Sequence, residues 1–248
     1  MSRYSFFTFL SVLLAGVCSE KNPYCDLHCY GAPMHTVCER SAENCGPDPG
    51  CGPDFREVPF TDEQRQQILD QHNELRNKVA LGKQDGQPPA SNMRELTWNK
   101  ELEYIAQCWM NACKGDPMKH DKCRRTAEYK NVGQNLAATY SNADNFNIKP
   151  VLTQLTQVWY DEVKDFDPKL VPSYQWDYPT GHYSQFVWAN TSEIGCAATV
   201  YSSQKSGRKM FVFLYGCNYG PAGNWDNRPV YEEGKPTLRS GSKFEGLI

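Results

Sequence analysis

His182 is the residue of this chain whose setting most invites chemistry. It lies in the run GHYSQFVWANTSEIGC at residues 181–196, ahead of a second run, YGCNYGPAGNW, at residues 215–225. Residues 194–201 and 210–217 read as strands, rich in β-branched and aromatic side chains and separated by the turn-like SSQKSGRK. Cys196 and Cys217 are equidistant from the Ser206/Gly207 junction. A hairpin turning there sets the two opposite each other, at a separation that a disulfide can bridge. An imidazole beside such a rigid staple could serve as a base or as a metal ligand. A second cluster, Cys25-Asp-Leu-His-Cys29, has a spacing similar to that of zinc ligands.

Cysteine usage decides between these chemistries. The chain has 248 residues and eleven cysteines. Residues 1–19 have the form of a signal peptide: Arg3 provides the positive start, an apolar run over 6–17 follows, and small residues close it. The run is too short to make a good membrane span. Cleavage near Ser19 removes Cys18 and leaves an even number, as disulfides in an oxidising compartment require. The protein therefore reads as secreted and extracellular, and Cys25 and Cys29 read as disulfide partners before metal ligands. With 26 basic and 29 acidic residues the formal charge is −3, a mild acidity that favours solubility and names no partner. No later stretch approaches transmembrane length, and no polybasic run points to nucleic acid or anionic lipid.

The elements that must position His182 follow from pattern. Residues 20–59 form a cysteine-rich extension with little apolar surface; its cysteines are odd in number, so at least one pairs outside it. The main domain spans 60–231. Thr61 and Gln64 make a capping-box signal ahead of a helix carrying Ile68, Leu69, His72, Leu75 and Val79, with Gly82 as its stop. His72 sits among these apolar positions as a core or capping histidine. A second helix covers about 99–113 with Leu102, Ile105, Ala106 and Trp109 on one face, and a third starts near Pro150 and carries Val151, Leu155, Val158, Trp159 and Val163. The run 210–215 is apolar at both alternations and needs cover on both faces. Helices before the strands and short connections predict an α/β fold, a three-layer α-β-α sandwich. Residues 232–248 lack cysteine and periodicity and read as a flexible tail.

Several of these runs resemble the signatures of the CAP superfamily, which groups cysteine-rich secretory proteins, antigen 5 proteins and plant pathogenesis-related proteins. The two runs around His182 and Cys217 carry the resemblance, together with QHNELRNKVALG at 71–82, QPPASNMRELTWNKELEYIAQ at 87–107 and VGQNLA at 132–137. In the extension, YCDLHC and HTVC are similar to the start of arthropod venom and salivary antigen 5 proteins. The resemblance implies an α-β-α sandwich and the pairs Cys25–Cys38, Cys29–Cys123, Cys45–Cys113 and Cys196–Cys217. Cys51 and Cys108 have no counterpart in the ordinary antigen 5 pattern, and are expected to pair with each other.

The resemblance also implies a central cleft with two histidines and two acids. His182 and Glu162 match one of each, and His120 of KHDKC matches the second histidine. The fourth position departs from the pattern: where many members have GEN, this chain has Gly133-Gln134-Asn135. Two imidazoles and a carboxylate, His120, His182 and Glu162, could hold Zn²⁺ weakly, but Gln134 cannot take a proton from water. No cofactor is required on this reading. A nucleophilic Ser184 with His182 and Glu162 is disfavoured because Ser184 stands only two residues from His182 and no oxyanion hole is visible.

The expected function is that of a non-enzymatic, allergenic antigen 5-like protein of venom or saliva. It would act by binding small lipids such as fatty acids, eicosanoids or sterols, or host proteins. The alternatives are a metal-dependent hydrolase or protease and an ion-channel modulating toxin. The channel reading lacks the added C-terminal cysteine-rich module, since no cysteine follows Cys217. Asn190-Thr191-Ser192 is a glycosylation sequon, and Lys114-Gly115-Asp116 resembles the tripeptides with which some secreted antagonists engage integrins.

Overall fold

A computed structural model describes residues 22–115, 117–205 and 207–248. The signal peptide assigned to 1–19 lies outside the described residues, as does Asp116. In chain order the helices are α1 (Thr36–Glu39), α2 (Asp62–Ala80), α3 (Lys100–Met110), α4 (Ile148–Asp161) and α5 (Gly181–Phe186). The strands are β1 (Arg56–Glu57), β2 (Thr97–Trp98), β3 (Gly133–Ser141), β4 (Glu193–Lys205) and β5 (Arg208–Gly220). Strands β4 and β5 form a hairpin in which Cys196 faces Cys217 and Lys205 faces Arg208. Strand β3 pairs antiparallel with β5, β1 antiparallel with β4, and β2 parallel with β4.

The double alternation of β5 is resolved by helices on both faces. Val212 and Leu214 join Ala106 and Met110 of α3 in one cluster, while Phe213, Tyr215, Cys217 and Tyr219 join the larger core with Ile68, Leu155, Trp159 and Phe186. These are the three layers. Gly195 allows α3 to lie directly on the sheet, because a Cβ there would stand 2.2 Å from the Glu103 amide nitrogen. The capping box forms: Gln64 N donates to Thr61 Oγ1 at 3.2 Å, and Thr61 N donates to Gln64 Oε1 at 2.8 Å. Pro150 is the third residue of α4, whose first is Ile148.

One buried cation ties α2 to the chain around α5. The Arg76 guanidinium, fully buried, donates to the carbonyls of Arg94, Phe186, Trp188 and Thr191. Burial without a carboxylate pulls its pKa down to about 9. Its donors hold the turn between α5 and β4 through the carbonyls of Phe186, Trp188 and Thr191.

The cysteine-rich extension differs from expectation in its pairing. Cys25–Cys38, Cys29–Cys123 and Cys196–Cys217 form as anticipated. The other two are exchanged: Cys45 joins Cys108 and Cys51 joins Cys113. The reason lies in the path of the extension along α3. Cys108 faces it from the last turn of α3, in a cluster with Val37, Cys45 and Ile105. Further along, Asp48 N donates to Asn111 O at 3.0 Å, which brings Cys51 to Cys113 beyond the helix end. Each of these two bridges closes a loop of about sixty residues, worth roughly 4 kcal/mol in the chain-entropy treatment.

The last residues also depart from expectation, because the stretch read as a flexible tail is packed. Phe244 and Leu247 are buried in the main core. Ile248 exchanges backbone hydrogen bonds with Met93 and Glu95, and Lys243 pairs with Asp70 at 2.7 Å. The segment is irregular, so it shows no periodicity, yet two apolar anchors suffice to hold it. Among the described residues no helix is long and apolar enough to cross a membrane.

Candidate functional site

The four cleft residues come from four separate places: His120 from the loop between α3 and β3, Gln134 from the start of β3, Glu162 from the end of α4 and His182 from the first turn of α5. They form two histidine couples. In the first, the His182 ring meets Glu162 with Nδ1 2.6 Å from Oε1. The other carboxylate oxygen accepts from the backbone N–H groups of His182, at 2.9 Å, and Tyr183, at 3.0 Å. Glu162 thus caps the N-terminus of α5 while orienting its histidine. Because a carboxylate only accepts, Nδ1 carries the proton and Nε2 is the free acceptor of the neutral ring. Trp159 lies nearly parallel to the imidazole at 6.3 Å, and Asn135 donates to the His182 carbonyl at 3.1 Å.

In the second couple the partner is an amide. His120 Nδ1 is 3.0 Å from Gln134 Oε1, which also accepts from the Asp121 N–H at 3.0 Å. The Gln134 amide nitrogen donates to Asn218 Oδ1 at 3.0 Å, and the two residues face each other across β3 and β5. Gly133 makes room, since a Cβ there would fall 1.9 Å from Gln185 Oε1. Burial lowers the His120 pKa, and the charges of Arg124 and His182 add to the effect. Adjacent residues of β3 link the two couples, Gln134 meeting the His120 ring and Asn135 the His182 carbonyl.

This donor set does not fit a resident metal ion. Among the described residues, no three His, Cys, Asp or Glu side chains are arranged to hold one. The anticipated trio of His120, Glu162 and His182 fails for a physical reason: Glu162 is engaged by one imidazole and two backbone amides, and Gln134 replaces the other acid. Two imidazoles remain, short of the three protein ligands of a catalytic zinc site. Ser184 is no nucleophile either. It is fully buried, with Oγ 3.1 Å from Thr180 O, 3.2 Å from Gly181 O and 3.3 Å from Tyr174 Oη, and nothing joins it to His182.

Two cleft residues went unnoticed in the sequence, Asn135 and Asn218. For Asn218 a signal was available, a buried amide inside a largely apolar strand, while Asn135 stands beside Gln134 at the polar start of β3. His72 is a core histidine, fully buried against Phe186 at 4.2 Å and bonded to Ile68 O and Tyr219 Oη. Asn190 is exposed in the turn before β4. Of the Lys114-Gly115-Asp116 tripeptide, Lys114 pairs with Asp48 at 3.1 Å and Gly115 N donates to Tyr201 Oη at 3.1 Å, while Asp116 is outside the described residues.

Away from the cleft, two open depressions flank α4. One, of about 670 Å³, lies between α2 and α4 and is lined by acids and amides around Leu75. The other, of about 810 Å³, runs along α4 past Pro150 and Val158. Gln67 spans the helices to Lys149 O at 3.0 Å and Thr153 Oγ1 at 2.7 Å, and Gln71 reaches Thr153 O at 3.0 Å.

Comparison with known proteins agrees with this architecture. Residues 69–219 match the model of the cysteine-rich secretory protein family. Venom allergen 5 of Vespula pensylvanica is 41% identical over 217 residues, covering 85% of this chain and 99% of the relative. Venom allergen 3 of Solenopsis invicta is 40% identical over 208 residues, covering 80% of this chain and 83% of the relative. Among solved structures, NaASP2 with Zn²⁺ superposes with a TM-score of 0.54 at 29% identity, over 82% of this chain and 99% of that one. The chain belongs to the cysteine-rich secretory protein family.

Proposed function

We propose that this protein is an extracellular, venom-allergen-like binding protein that works without catalysis. The observation that carries the reading is the state of the two acid positions: Glu162 is committed to α5 and His182, and Gln134 cannot accept a proton. Neither position offers a free carboxylate to activate water. The five disulfides among the described residues support an oxidising, extracellular compartment, and similarity to venom allergens supports recognition by host antibodies. The exposure of Asn190 supports a glycan there, which a mobility shift on glycosidase treatment would register.

The ligand class that suits the helix surfaces is a small lipid with a polar head. Its chain would lie along Pro150 and Val158, and its head would meet Gln67, Gln71 and Thr153. Both depressions have volumes typical of small-molecule sites. Organic extraction of native protein followed by mass spectrometry tests this, with Val158→Arg as the control that should release the lipid. An empty extract, together with no uptake of added fatty acid, rules out the lipid. Metal-dependent cleavage of protein substrates that vanishes in His182→Ala would rule out the non-catalytic reading.

A further inference from the structure

The cysteine-rich extension and the main domain meet in a pocket of about 340 Å³ lined by cations from both. His28 and Tyr30 come from the extension, and Lys122, Arg124, Arg125 and Lys130 from the chain between α3 and β3. The Cys29–Cys123 disulfide joins the two sides. No long basic run marks the site in the sequence, because the fold is what brings residues 28, 122–125 and 130 together.

The pocket contains no carboxylate. Among the described residues, Lys122 and Lys130 have neither a hydrogen bond nor an ion pair. The neighbouring acid, Asp121, is buried outside the pocket lining, where its charge acts on Arg124 while Oδ1 accepts from Thr36 Oγ1 and the Cys123 N–H. Arg124 donates through Nη1 to the Asp121 carbonyl, while its Nε is buried without a partner. Arg125 is braced across the junction by His28 O at 3.0 Å. Four basic side chains line this one pocket, so a multiply charged anion there would meet them together. In a chain of net charge −3 this is a local reversal of sign that an anion would relieve. Guanidinium groups match the oxygens of sulfate and phosphate in geometry as well as charge. Tyr30 is wholly exposed and offers a flat ring beside the cations.

We propose that this pocket is a binding site for clustered anions, namely sulfate or phosphate groups carried on a small molecule or a short oligosaccharide. The pocket shares no lining residue with the α2–α4 surface, so it stands whether or not a lipid binds there.

Calorimetry on the full protein tests it with three probes: a heparin-derived tetrasaccharide, ATP and inorganic pyrophosphate. At least one binds at a single site, with affinity falling steeply between about 50 and 300 mM NaCl as screening sets in. Preference for the tetrasaccharide assigns a sulfated sugar, and preference for ATP or pyrophosphate assigns a phosphate carrier. The double substitution Lys122→Ala and Lys130→Ala weakens binding at least tenfold, and Lys122→Glu with Lys130→Glu abolishes it. Both lysines are exposed, so an unchanged melting temperature shows that the fold persists. Lys149→Ala, on α4, is the control for net charge and leaves binding intact. The proposal is overturned if none of the probes binds at about 50 mM NaCl, if the lysine pair can be neutralised without effect, or if Lys149→Ala costs as much.

Discussion

The two histidines of the cleft differ in what orients them, and the difference accounts for the character of the site. His182 is held by a carboxylate that simultaneously closes the N-terminus of α5; His120 is held by an amide whose other end is fixed by Asn218. A carboxylate can stabilise an imidazolium by charge as well as by a hydrogen bond, whereas an amide oxygen offers the hydrogen bond alone. One couple is therefore a structural cap with a histidine attached. The other is an amide network, Gln134 with Asn218, in which desolvation of the ring lowers the His120 pKa against the Gln134 hydrogen bond. A cleft with two acids would have offered proton transfer on either side.

A third histidine provides the scale for breaking this comparison. His72 is wholly buried, and burial pushes its pKa down to about 3. Because its folded pKa lies below the unfolded value, the unfolded chain binds the proton first. Stability is complete above pH 6.5 and falls as pH drops toward 3, at about 1.4 kcal/mol per pH unit for this one group. His120, shifted in the same direction by burial, adds to the slope over the upper part of that window. Denaturant titrations at several pH values should show the loss, and His72→Phe should remove much of it.

Next in size is Glu162→Ala, which strips three hydrogen bonds from α5 and its histidine and should cost about 2–4 kcal/mol in urea unfolding. Gln134→Ala leaves His120, the Asp121 amide and Asn218 short of partners, and should cost about 1–3 kcal/mol. If the two variants lose the same stability, the distinction between cap and network fails. The smallest effect sharpens it: Gln134→Glu should raise the His120 pKa, seen as a shift of its imidazole NMR titration to higher pH, and should increase affinity for Zn²⁺. Peptide mapping under non-reducing conditions should recover Cys45 with Cys108 and Cys51 with Cys113.

What the sequence by itself determined is local or repetitive in character. The hairpin register follows from two cysteines equidistant from a turn, the start of α2 from Thr61 and Gln64, and the double cover of β5 from apolar residues at both alternations. The departure at Gln134 was equally legible, because it is a change of residue type inside a motif. What only the tertiary structure decided depends on contacts between distant segments. Cys45 and Cys51 each had two partners a few residues apart, and the path of the extension along α3 made the choice. Phe244 and Leu247 carry no periodicity, and their burial depends on a groove built by residues more than a hundred positions earlier. Glu162 reads as a free acid until α5 presents two N–H groups to it. The basic pocket likewise exists only where the extension is folded back on the domain. Pattern along a chain reports which face is buried; which atoms satisfy one another is settled when separate elements meet.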